Sequence, residues 1–194
     1  MGSCDTNSLA AKFHLGKVAH RSPHASVVAY QGRIPKLDDS VFLADGARII
    51  GDVAIARGVS VWFNVVVRGD VNTVDIGVDT NIQDGTIVHC TYQKHATRIG
   101  ARVSIAHLAM IHGCDIEDDA LIGMRAVVMD GAVIGAGSIV AAGSVVTEGV
   151  KIPPGMLAVG TPAKAVRPLN EPEIAMMRGI SGRYIDYQRG FDFR

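Results

Sequence analysis

From Ile116 onward a β-branched residue returns at every sixth position, with a small residue four places behind it. The units read IEDDAL, IGMRAV, VMDGAV, IGAGSI and VAAGSV, opened by Ile116, Ile122, Val128, Ile134 and Val140. Ala120, Ala126, Ala132, Ser138 and Ser144 hold the fifth place. Neither strict alternation nor helical spacing fits this pattern. Upstream, the same frame gives IGDVAI, ARGVSV and WFNVVV from Ile50, then IGVDTN and IQDGTI from Ile76, with Val88 next. A further block, IGARVS and IAHLAM, puts Ile99, Ile105 and Ile111 in phase. A hexapeptide with one β-branched residue, one small residue and a Gly, Asp or Asn is a short strand followed by a tight turn. It cannot bury its apolar face alone, but a stack of such units can, so the pattern predicts a mainly β chain wound as a parallel β-helix.

The period slips in three places: between Arg68 and Ile76, between Val88 and Ile99, where eleven residues replace twelve, and between Ile111 and Ile116. Insertions in a solenoid become loops, so TYQKHATR, residues 91–98, is expected to be a loop or irregular corner. Beyond the repeats, Pro153, Pro154, Pro162 and Pro168 break the pattern and a helix follows. Asn170 is its N-cap, Glu173 completes a capping box, and Ile174, Met177, Ile180, Tyr184 and Tyr187 form a packing stripe. Gly179 and Gly182 weaken it, so it must lean on something else. The chain therefore divides into an N-terminal arm with first strands (1–35), the β-helix (36–168) and a C-terminal helix and tail (169–194).

Nineteen basic side chains balance nineteen acidic ones, which removes the field that would draw nucleic acid or an anionic membrane. Neither is expected as a partner. Three cysteines, Cys4, Cys90 and Cys114, are too few for a disulfide framework and point to a reducing, cytoplasmic setting. The opening residues, MGSCDTNSLAAKFHLGKVAH, hold no apolar run of signal-peptide length, and no stretch is long enough for a membrane helix. With aromatics at only 5% and 22 glycines, the core is expected to be Val, Ile, Ala and Gly.

Of seven histidines, His14, His20 and His24 precede the repeats and His95 falls in the loop. His89, His107 and His112 lie inside repeat units, and three imidazoles are what an open zinc site needs, a fourth position being left for water. His107 stands eighteen residues after His89, one coil if three hexapeptides make a turn, so these two are expected at neighbouring heights on the same side. His112 follows across one corner, and a site shared between subunits would reconcile their directions. Cys114, two residues from His112, admits a closed His and Cys zinc site, but without a spaced CxxC pair both cysteines read as small buried hydrophobes. Arg68 and Asp70 share a face in VVVRGD, and Gln83 and Asp84 precede His89 in NIQDG.

The hexapeptides over residues 36–168 resemble the hexapeptide-repeat family, whose fold is a left-handed parallel β-helix with three units per coil. The order Arg-x-Asp, Gln-Asp, His, then His-x4-His resembles the γ-class carbonic anhydrases and their bacterial relatives. That resemblance implies a homotrimeric, metal-binding lyase that hydrates carbon dioxide reversibly to bicarbonate through a metal-bound hydroxide at a subunit interface. It implies His89, His107 and His112 as ligands for zinc or another divalent metal such as iron or cobalt, one of them from a neighbouring chain. Gln83 would orient the hydroxide or product, and Arg68 with Asp70 or Asp84 would form an interfacial ion pair. CTYQKHATR lacks the acidic shuttle of the archetypal enzyme, Val71 replaces a second glutamate, and Met156 and Ala158 stand where some relatives carry tyrosine. His95 or Tyr92 would have to substitute, and activity could be low. The alternatives are a hexapeptide-repeat acyltransferase with a single histidine base, an acyl-CoA thioesterase, or a metal-stapled assembly subunit.

Overall fold

A computed structural model describes residues 21–191 and Phe193. Cys4, His14 and His20 lie outside the described residues. The chain winds as a parallel β-solenoid of three flat faces, on which short strands stack coil upon coil. In the core-facing ladder of the first face, Val27, Ile49, Val67, Val88, Ile111, Val128 and Val146 succeed one another. The second face stacks Leu37, Ile55, Ile76, Ile99, Ile116, Ile134 and Ile152. On the third face the inward ladder runs Leu43, Val61, Ile82, Ile105, Ile122, Val140 and Ala158. β-Branched side chains suit this half-buried, pleated setting, and almost all of these residues are sealed in one continuous core. Ala120, Ala126, Ala132, Ser138 and Ser144 are buried where the predicted small residues turn the corners.

One stretch runs out of the expected phase. Between residues 49 and 67 the inward residues are Ile49, Ile55, Val61 and Val67, not the series opened by Ile50. Two adjacent isoleucines open both phases, but only the series from Ile49 stays β-branched at every sixth position; that from Ile50 runs into Ala56, Trp62 and Arg68. The strand Ser26–Val28 already pairs with Arg48–Ile55, ahead of residue 36.

The three slips all fall at a single corner, where the first face gives way to the second. Six residues separate the core ladders there in the coils from Val128 and Val146, but nine separate Val67 from Ile76, eleven Val88 from Ile99, and five Ile111 from Ile116. The gap after Val88 is therefore a five-residue insertion into a six-residue step, rather than twelve residues shortened by one. It forms a turn closed by the Thr91 to His95 bridge.

At the C-terminal end, the antiparallel hairpin Met156–Gly160 with Ala163–Pro168 closes the stack. Two helical segments follow, α1 (Glu171–Arg178) and α2 (Ile180–Gln188), with the break at Gly179. Asn170 caps α1 through the Glu173 amide and Glu173 returns the bond, completing the predicted capping box. Tyr184 packs edge-on against Trp62, and Phe191 and Phe193 join Phe42 in the same cluster. This contact gives the weak helix its support on the third face. Among the described residues no helix is long and apolar enough to cross a membrane.

Candidate metal centre

The histidines separate into two groups on one chain. His89 and His112 are direct neighbours in register on the first face, both pointing outward beside the irregular corner. The insertion makes this coil 23 residues long, so it is His112, not His107, that stacks on His89. The eighteen-residue expectation failed because the residues gained at the corner move every later position forward. His107 sits instead at the opposite edge of the first face, on the corner that also carries Asp84, its backbone carbonyl bonded to Arg125. The residue after it, Leu108, holds φ +60, a left-handed conformation that costs a branched side chain about 1–2 kcal/mol. Among the described residues, no cluster of three metal-binding side chains forms within the single chain.

Nδ1 of His89 and Nε2 of His112 face each other at 3.1 Å. Their other nitrogens are taken by carboxylates: His89 Nε2 lies 2.9 Å from Asp70 Oδ1, and His112 Nδ1 lies 2.6 Å from Asp130 Oδ1. With protons on the outer nitrogens, the tautomer their carboxylate partners favour, both facing nitrogens present lone pairs that one cation can share. Burial pushes the His89 pKa down and the Arg68 charge adds to it, outweighing the opposing pull of Asp70. His89 is thus held neutral, as a metal ligand must be. The donor set fits a divalent cation and has two imidazoles, with no third ligand beside them among the described residues.

Asp70 links the pair to Arg68, whose Nη1 donates to Asp70 Oδ2 at 2.5 Å. Burial alone would raise the Asp70 carboxyl, but the bonds from His89 and Arg68 outweigh it and hold the carboxyl below its usual range. Arg68 pairs with Asp70, and Asp84 takes a different partner, the Nδ1 of His107 at 2.7 Å. Gln83, adjacent to that corner and nearly buried, donates to Asn81 Oδ1 at 3.0 Å, and Asn81 donates to Ser104 at 2.8 Å. The candidate residues thus form two groups, Arg68, Asp70, His89 and His112 at one edge and Gln83, Asp84 and His107 at the other.

Sequence reasoning missed Asn81, Ser104, Thr91 and Asp130. The signal for the first two was a polar residue just ahead of the inward Ile82 and Ile105, in places where Leu121 and Ile139 stand in later coils. Asp130 gave none, since VMDGAV is an ordinary repeat unit. Cys90 and Cys114 are buried and free, and burial pushes the Cys114 thiol up to about 12. Neither joins a cluster of three metal-binding side chains among the described residues. His24 and Tyr92 are exposed, and His95 packs over Gly113 and Gly131.

Comparison with known proteins bears on what these two groups do. The family described as bacterial transferase hexapeptide (six repeats) matches residues 113–148. A carbonic anhydrase of Geobacillus kaustophilus is 42% identical over 160 residues, covering 82% of this chain and 87% of that protein. The chain belongs to the γ-carbonic anhydrase family. Within that family, mitochondrial γ carbonic anhydrase 2 of Arabidopsis thaliana is 41% identical over 86% of this chain, which spans 62% of that protein's length. A hexapeptide transferase family protein from Anaplasma phagocytophilum superimposes with a TM-score of 0.82 at 41% identity, covering 87% of this chain and 98% of the other. Carbonic anhydrase and transferase names thus both occur among proteins similar to this γ-carbonic anhydrase family member.

Proposed function

We propose that this protein is a zinc-type carbonic anhydrase, interconverting carbon dioxide and bicarbonate at sites shared between adjacent copies in a homotrimer. The observation that carries the reading is the pair of facing nitrogens on His89 and His112, outer nitrogens anchored on Asp70 and Asp130, with the third imidazole on a separate corner of the same chain. A ring of three copies sets one subunit's His107 corner against the next subunit's His89 and His112. The outward ladder beside the histidines is apolar, Val66, Ile87, Met110, Val127 and Val145, and Leu108 and Met124 on the neighbouring corner are 53% and 56% exposed. A contiguous apolar strip of this kind supports a protein interface.

A divalent cation on three neutral imidazoles lowers the pKa of a bound water to about 7. Imidazole nitrogen suits zinc, iron and cobalt alike, so the donor set leaves the metal open among them. Asp70, Asp130 and Asp84 keep protons on the outer nitrogens, so that the inner lone pairs of His89, His112 and His107 stay directed at the shared site. Gln83, anchored on Asn81, orients the oxygen that meets carbon dioxide or the bicarbonate that forms. Arg68, neutralised in part by Asp70, holds that carboxylate in place at the interface. The buried free thiols of Cys90 and Cys114 suit a reducing compartment such as the cytoplasm.

The test is subunit mixing. Trimers of His107→Ala and of His112→Ala each lose metal and carbon dioxide hydration, whereas random mixed trimers recover about a quarter of the sites, where one subunit's intact pair meets another's His107. Wild-type metal content in either variant alone, or no recovery on mixing, overturns the shared site. Full metal content without hydration in the wild type supports the metal-stapled assembly instead.

A second reading rests on the His107 corner alone. His107 is oriented by Asp84, and a hollow of about 420 Å³ beside it is lined by Trp62, Phe63, Tyr184, Tyr187 and Phe191. An imidazole held by a carboxylate next to an apolar hollow suits a general base in acyl transfer from, or hydrolysis of, an acyl thioester. Acetyl-CoA turnover that survives His89→Ala and disappears in His107→Ala selects that reading.

A further inference from the structure

The five-residue insertion after Val88 makes a set of contacts that the repeat does not require. Thr91 Oγ1 donates to Asp130 Oδ2, on the coil above His112, while the other oxygen of the same carboxylate takes the His112 Nδ1 proton. The turn is closed by the bond from the Thr91 amide to the His95 carbonyl at 2.9 Å and tied below by Asn72 Nδ2 to the Thr91 carbonyl at 3.1 Å. Thr97, at its far end, bonds the His89 carbonyl and receives the Gly113 amide at 2.9 Å, joining the backbones that follow both histidines. Gly113 holds φ +55, and a Cβ there would overlap the Asp130 carboxylate and the His95 Cβ. The loop, the carboxylate and the histidine are therefore packed with no room for a side chain between them.

We propose that the inserted turn is a latch for the metal ligand: Thr91 and Asp130 are positioning residues that fix the tautomer and ring direction of His112, and metal binding and loop order are linked through them. A carboxylate with one oxygen on His112 and the other on Thr91 cannot rotate without breaking a bond. Ligand histidines oriented in this way lose about 10–100-fold in metal affinity when the orienting group is removed. Linkage is reciprocal, so a cation held by His112 stabilises the closed turn by the factor that the closed turn adds to its affinity. The inference rests on the metal reading above, while the latch itself is carried by the Thr91, Asp130 and His112 contacts.

Three measurements on the full-length protein test it. Zinc affinity, by competition with a chromophoric chelator, is expected to fall about 10–100-fold in Asp130→Asn and by a smaller factor in Thr91→Val, and to be restored in Thr91→Ser. Nitrogen-15 spectra of the metal-free protein are expected to show the Nδ1–H tautomer of His112 in the wild type and a mixture in Asp130→Asn. Amide exchange in residues 91–97 is expected to slow on adding zinc ion to the wild type and to be unaffected by it in Thr91→Val. If the wild type binds zinc and both variants match it in affinity, tautomer and loop exchange, the latch is wrong. A wild type that binds no zinc while the tautomer still depends on Asp130 removes the metal reading and leaves the latch as an orienting device for His112.

Discussion

The coils from Ile116 to Ile152 and those from Val67 to Gly113 are built from the same hexapeptide, yet they serve different ends. In the first, every corner takes six residues and inward isoleucines and valines stack without interruption. In the second, one corner takes nine, then eleven, then five residues, and its edge carries Asp70, His89 and His112. Regular coils supply burial, and irregular corners re-aim side chains. The irregularity is affordable because the inward ladders run through it unbroken: Val67, Val88, Ile111 and Val128 remain sealed on either side of the insertion. A solenoid distributes stability over nearest-neighbour contacts, so one corner can vary while the faces hold.

The largest test of this division is in the regular part. Ile134→Ala is expected to cost about 2–5 kcal/mol of stability by urea unfolding, with metal bound per folded subunit unchanged. A loss of metal binding in the folded variant would show that the two regions are not separable. Next, His112→Ala in the interrupted part should weaken zinc binding by more than about 100-fold, roughly 2.7 kcal/mol, while the midpoint of the metal-free protein barely moves. A collapse of the fold instead would make His112 a structural residue. Smaller again, Gln83→Leu is expected to leave metal content intact and to lower turnover about tenfold, measured as the initial rate of carbon dioxide hydration. Unchanged turnover would take Gln83 out of the reaction.

The smallest effect concerns acid. The Arg167 guanidinium, followed by the Asn170 backbone bond, holds the Glu173 carboxyl down at about 2 from an ordinary 4.5. A depressed carboxyl stabilises the fold above its unfolded pKa, so its contribution is complete above pH 4.5 and is lost as pH falls through about 2. The start of α1 should fray in that window, seen as faster amide exchange, and Glu173→Gln should remove the pH dependence. Asp70 on the interrupted corner and Asp130, which reaches it from the regular coil above, also have carboxyls below the usual range and make that corner acid-sensitive, while the inward ladders of the regular coils contain nothing to titrate.

Much of the fold was legible because its signal is local. A β-branched residue every six positions predicts the inward ladder, and Asn170 with Glu173 predicts a helix start, since each bond lies within a few residues. At Ile49 and Ile50 the better phase was legible but overlooked, since steps of six from Ile49 reach Ile55, Val61 and Val67 while those from Ile50 reach Ala56, Trp62 and Arg68. The three histidines were legible as residue types in repeat units. Their grouping was not, because counting in eighteens assumes that every corner has the same length. Asp130 was invisible for the opposite reason: it occupies a normal turn position and gains a role only because His112 and Thr91 arrive from other coils.

The sequence by itself determined that the chain would wind as a β-solenoid, which side chains would face its axis from Ile76 onward, and that histidines, carboxylates and an amide would stand within its middle coils. Burial enforces those features residue by residue, and any apolar ladder of this period meets the same demand. Only the tertiary structure decided that His89 pairs with His112, that His107 stands at another edge with Asp84, and that the inserted turn closes on Asp130. These depend on how many residues each corner absorbs, a quantity set by packing between coils and written in no single hexapeptide.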